Sequence, residues 1–121
     1  MNPIAEKWVA ALRSGKYKQG RRQLRSGDSY CCLGVLCDLA VKEGVIKCER
    51  SLTFDAVLYG DELEKAYLPC QVITWSGMKN AFGRLNKVYL NEDLANMNDR
   101  GCSFEEIADA IERHYNELFK E

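Results

Sequence analysis

Residues 29–40 read SYCCLGVLCDLA, from Ser29 to Ala40. On a helical net Cys32, Leu33, Val35, Leu36, Cys37, Leu39 and Ala40 cover nearly the whole circumference. A helix that is apolar all round belongs in the centre of a fold. The spacing predicts a helix over about 30–43, capped by Asp28 or Ser29 and closed by Gly44. Gly34 costs such a helix about 1 kcal/mol relative to alanine, which implies that another element passes close to it.

Three of the six cysteines lie in this stretch. Zinc sites pair their ligands as C-x₂₋₄-C with a second pair further on. Here Cys31 and Cys32 are adjacent, so their side chains diverge by about 100° on a helix, and Cys37 is about 140° from Cys32. Cys48, Cys70 and Cys102 are isolated and His114 is the only histidine. The expectation is no metal. A nucleophile reading rests on Cys31 and Cys32 in a first helical turn, where the dipole lowers a thiol pKa. His114 would be the base, with Asp99 or Asn98 orienting it. The third reading is packing, because free cysteine behaves as a small buried hydrophobe. It fits Cys32 and Cys37 best, and Cys31 less well because it lies nearer the helix mouth.

Outward from this helix, the 121 residues suit one domain, 46% apolar and 29% charged, with net charge −1. That balance gives no general attraction to nucleic acid or anionic lipid. No signal-peptide pattern opens the chain and no 18-residue apolar run occurs, so a cytoplasmic protein with reduced thiols and no membrane contact is expected.

Between Arg13 and Arg25 lie Arg13, Lys16, Lys18, Arg21, Arg22 and Arg25, with no acid among them. Tyr17 and Gln19 are interleaved, and Tyr30 follows at the helix mouth. Arginine forks suit phosphates, tyrosine faces suit bases, and free helix N–H groups suit anions. The candidate ligand-binding set is therefore Lys16, Tyr17, Lys18, Gln19, Arg21, Arg22, Arg25, Ser29, Tyr30 and Cys31. A solvated basic strand and a surface for an acidic protein partner are the competing readings.

The remaining elements follow from local signals. Asn2-Pro3 starts a helix with Ile4, Trp8 and Leu12 on one face, ended by Ser14-Gly15. Residues 16–30 suggest a short extended segment or a hairpin around Gly20, ending in a turn at Ser26-Gly27-Asp28. Val45, Ile46, Leu52, Phe54, Val57 and Leu58 suggest a hairpin around Glu49-Arg50-Ser51. Pro69 is expected at the first position of a short helix, Phe82 to Tyr89 to be extended, and Asn91 to cap a helix through Met97. Ser103 to Glu106 is a capping box ahead of a final helix carrying Phe104, Ile107, Ile111, Tyr115 and Leu118. Its acids and the absence of a following reading helix disfavour duplex DNA. The expected fold is a single α+β domain over 1–121, with three to four helices around the central helix and a small sheet.

The blocks WVAALRSGKYKQGRRQLR, SYCCLGVLCDLA, LPCQVITWSG and LANMNDRGCSFEEIADAIE resemble a group of small proteins of tailed phages and prophages. The resemblance brings no catalytic residues or cofactor with it. It implies a protein that binds something of the host, in the host cytoplasm. The leading expectation is sequestration or sensing of an anionic, nucleotide-like ligand, such as a defence signal. The alternatives are direct inhibition of a host protein and a cysteine-dependent enzyme. A homodimer sharing the site is compatible with the sequence.

Overall fold

The computed structural model describes residues 1–52, 55–85 and 92–120. The first helix, α1, spans Pro3–Arg13, with the Asn2 side chain accepting from the Ala5 N–H at 2.7 Å. Its buried stripe is Ala5, Trp8, Val9 and Leu12. Three two-residue strands follow: β1 (Lys18–Gln19), β2 (Arg25–Ser26) and β3 (Ser29–Tyr30). They form a sheet in the order β1-β3-β2, parallel between β1 and β3 and antiparallel between β2 and β3.

The expected turn at Ser26-Gly27-Asp28 joins β2 to β3 in a hairpin, and none forms around Gly20. Gly20 serves a close approach instead: its N–H donates to Tyr30 O at 2.7 Å, and a Cβ there would lie 2.8 Å from the Ser29 Cβ.

The central helix α2 spans Cys32–Lys42 and its cap is Cys31, rather than Asp28 or Ser29. Pairing on both sides commits Ser29 and Tyr30 to extended backbone, so the helix starts after them. Cys32, Leu33, Gly34, Val35, Leu36, Cys37 and Ala40 are all buried. The close approach implied by Gly34 is the backbone of Leu24, whose carbonyl oxygen would lie 1.7 Å from a Cβ at position 34.

The second hairpin consists of β4 (Cys48–Arg50) and β5 (Val57–Tyr59), in register Cys48↔Tyr59. Glu49 and Arg50 are strand residues, so the reversal falls later than expected. Leu52 is fully exposed and Phe54 lies outside the described residues.

Helix α3 spans Cys70–Ser76, with Pro69 as its cap rather than its first residue. Helix α4 spans Leu94–Asp99 and is capped by Asp93, whose Oδ1 accepts from the Asn96 N–H at 2.7 Å. Asn91, expected to cap it, and residues 86–89 of the expected 82–89 extension lie outside the described residues; Arg84 forms an isolated antiparallel backbone bridge with Asp93.

Both halves of the Ser103–Glu106 capping box form at the start of α5, Phe104–Arg113. The expected final helix is interrupted at His114, and α6 covers Tyr115–Leu118. The described residues therefore hold six helices rather than three or four. The fold is α+β, with α1 packed on α5 and α2, and α2 also against α3 and α4. Trp8 ties the first layer to the centre, its Nε1–H donating to Cys32 O at 2.9 Å.

Candidate functional site

The fold disperses the basic run. Arg13 turns to α5, where its guanidinium meets Glu105, Asp109 and Glu112. Gln19 becomes structural: its Nε2 donates to Asn98 Oδ1 at 2.9 Å and to Cys102 O at 2.8 Å. Lys18 and Arg21 are exposed. Arg22 adopts a left-handed backbone, φ 69°, with its N–H on Asp99 Oδ1 at 2.8 Å. It borders a small pocket of about 60 Å³ with Cys31, Tyr67, Asp93 and Asn96.

Lys16 and Tyr17 enter a different place. A cleft of about 380 Å³ lies between α1 and α2, floored by Ala10, Ala11 and Leu39 and edged by Lys7, Lys16, Lys42 and Tyr17. Lys7 pairs with Glu43 at 2.9 Å. Tyr17 Oη donates to Asp38 Oδ2 at 2.5 Å, and Lys42 Nζ lies 3.2 Å from that hydroxyl and 3.1 Å from the carboxylate. Burial first, then the Asp38 hydrogen bond, raises the Tyr17 pKa, so the phenol stays protonated.

From this cleft a row of cations and rings continues. Lys42 Nζ stands 5.5 Å from the Tyr17 ring centre. Tyr17 meets Tyr30 edge-on at 5.0 Å, and Arg25 lies 5.1 Å over Tyr30. Arg25 Nε also donates to Gly27 O at 2.7 Å. Lys16, Tyr17, Arg25 and Tyr30 thus belong to one neighbourhood, while Arg22 and Cys31 belong to another. Ser29 sits in β3 between its two neighbours.

The mouth of α2 is filled from inside the protein. Cys31 N–H donates to Leu24 O at 3.2 Å, Cys32 N–H to Asn98 Oδ1 at 3.0 Å, and Gly34 N–H to Cys31 Sγ at 3.4 Å. The N–H groups of Cys31, Cys32 and Gly34, expected to favour an anion at the helix mouth, are therefore already engaged. Asn98, fully buried, is the reason, and its Nδ2 also donates to Gly20 O at 2.8 Å.

Nor does the helix mouth activate a thiol. Burial outweighs the dipole and pushes Cys31 up to about 11; Cys32 and Cys37 are also raised by burial. His114 pairs instead with Glu117 at 2.6 Å. Iodoacetamide at neutral pH should label exposed Cys48 and Cys70 and spare Cys31, Cys32 and Cys37 until the protein unfolds. Peptide mapping of native and unfolded samples checks this.

The same shift has a pH consequence. The ordinary thiol value is 9.0, so above pH 9 the unfolded chain loses the Cys31 proton while the folded chain keeps it up to about 11. The contribution of this thiol is therefore intact below pH 9 and is lost as pH rises toward 11, by about 2 kcal/mol at pH 10.5. Urea midpoints at pH 8 and 10.5 measure this loss together with those of Cys32 and Cys37, which add in the same direction.

Lys7, Lys42, Asp38 and Asn98 lie outside the set that charge and aromatic interleaving mark in the sequence. The Asp38–Lys42 spacing, i and i+4, is the readable signal for two of them. Among the described residues no three His, Cys, Asp or Glu side chains are placed to hold a metal, and no helix is long and apolar enough to cross a membrane.

The fold and cleft define a small α+β domain with a lysine-edged groove. The chain belongs to the family described as Domain of unknown function (DUF8296), which matches residues 1–115. No curated protein and no solved structure matches the chain.

Proposed function

We propose that this protein binds an anionic, nucleotide-like ligand in the α1–α2 cleft and acts by sequestering or sensing it. The observation that carries this reading is the combination of three lysines with an apolar floor in a cleft of about 380 Å³. Lysines supply point charges for phosphate, and Ala10, Ala11 and Leu39 offer a surface for a flat base. Arg25 and Tyr30 extend the same row. A phage-encoded role against a host defence signal is the context that the sequence resemblance suggests.

A thermal-shift panel of linear and cyclic nucleotides tests it. A ligand at a hundredfold its Kd stabilises the folded protein by about 3 kcal/mol, a rise of several degrees. Lys16→Glu should abolish that rise and leave the melting temperature of the free protein unchanged. A panel without any shift, or a shift that Lys16→Glu leaves intact, removes this reading.

A second reading, direct binding of a host protein, is favoured by one observation. Tyr67 and Phe82 are exposed and pack edge-on at 4.6 Å, near the Arg22 pocket. Aromatic residues with arginine are the usual anchors of protein interfaces. A photo-crosslinker at position 67 in infected cells should then yield a protein adduct, and its absence would count against an interface there.

A further inference from the structure

The hairpin β4–β5 leaves one strand at an open edge. On its far side β5 is flanked by bridges, Ala56 to Ser26 and Tyr59 to Glu64. Among the described residues β4 pairs only with β5, and Cys48, Glu49 and Arg50 are all exposed. Two hydrogen bonds fix which way its backbone points. Gly60 N–H donates to Lys47 O at 2.9 Å, and Ser51 N–H donates to Ala56 O at 3.0 Å. Backbone groups alternate in direction along an antiparallel strand, so residues 47, 49 and 51 address β5. The N–H and C=O groups of Cys48 and Arg50 therefore point outward. Such an edge is a template for a further strand.

The side chains select which strand fits. Lys47 and Glu49 stand two residues apart, on one face of this edge, and both are exposed. Neither has an ion-pair partner among the described residues. Charges on an edge resist pairing where like meets like, and favour it where opposites meet. A second copy of β4, laid antiparallel, can match its outward groups in three registers. Centred on Glu49, the pairing sets Glu49 against Glu49. Centred on Arg50, it sets Arg50 against Arg50. Centred on Cys48, it sets Lys47 of each copy against Glu49 of the other. Only this last register brings opposite charges face to face, and the symmetry makes that pair twice.

We infer that this protein self-associates through β4, joining two hairpins into one four-stranded antiparallel sheet about a twofold axis at Cys48. Four strands hold together better than an isolated pair. The short edge makes a small contact and hence a weak, reversible dimer.

Sedimentation equilibrium over a range of concentrations should show monomer and dimer in exchange. Glu49→Lys sets lysine against lysine and should weaken the dimer about tenfold or more. Lys47→Glu combined with Glu49→Lys exchanges the two charges and should restore the dimer to within a few-fold of the original. Both positions are exposed, so neither change reaches the core. In this register the two Cys48 Cα atoms stand about 5.5 Å apart. A short bismaleimide should then join Cys48 to Cys48 in protein carrying Cys70→Ser, which removes the other exposed thiol. The inference is overturned by a monomer at every concentration or by a dimer indifferent to Glu49→Lys. It is equally overturned by a double variant that stays monomeric or by crosslinks that leave out Cys48.

Discussion

Gly34→Ala should prevent this protein from folding stably. In an exposed helix the same change would gain about 1 kcal/mol. Here the new Cβ would lie 1.7 Å from Leu24 O and 2.6 Å from Leu24 C, both backbone atoms. No side-chain rotation relieves that contact. The segment carrying Leu24 must move, and it is held by Leu24 N–H to Lys65 O at 2.7 Å and by Cys31 N–H to Leu24 O at 3.2 Å. A loss of about 3 kcal/mol or more is expected, a large part of the stability of an ordinary domain. Gly44→Ala is the contrasting variant: nothing lies within 4 Å of a Cβ there, so only its positive φ costs, about 1 kcal/mol. Urea denaturation of both variants decides the matter. Equal midpoints would mean that the Leu24 backbone does not press on α2.

Asn98→Ala should cost about 3 kcal/mol, because its fully buried amide satisfies the buried Cys32 N–H and two part-buried groups. Its Oδ1 accepts from Cys32 N–H and from Gln19 Nε2, and its Nδ2 donates to Gly20 O. The truncation opens the mouth of α2, the β1 segment and the end of α4 together. Asn98→Asp separates the contributions. It keeps the acceptor, loses the donor to Gly20 and buries a charge, so it too should destabilise. Hydrogen exchange at Cys32 should accelerate more in Asn98→Ala, which loses the acceptor, than in Asn98→Asp, which keeps it. A melting temperature unchanged by Asn98→Ala would exclude this residue as the link between these elements.

The two positions differ in how legible they are. Gly34 stands out in the sequence because a glycine in an apolar helix needs a reason, and that reason is a backbone contact. Asn98 does not stand out, because an asparagine beside Asp99 and Gly101 reads as an ordinary turn. Its role depends on Cys32 and Gly20, which are far from it in sequence. The candidate site divides the same way. Charge and aromatic interleaving mark Lys16, Tyr17, Arg25 and Tyr30, and the fold keeps these near one another. The same criterion also marks Gln19 and Cys31, which the fold uses internally.

Local chemistry in the sequence is enough to determine α1, the buried character of α2, and the capping box of α5. Those features depend on residues within a few positions of one another: a cap, an apolar periodicity, a glycine stop. The start of α2, the sorting of the arginines and the burial of the thiols are decided only by tertiary structure. Pairing of β3 on both sides delays the helix, acids on α5 remove Arg13 from the basic run, and Asn98 closes the helix mouth. Each of these is a contact between residues set apart in the chain, whose energy exists only once the chain has folded.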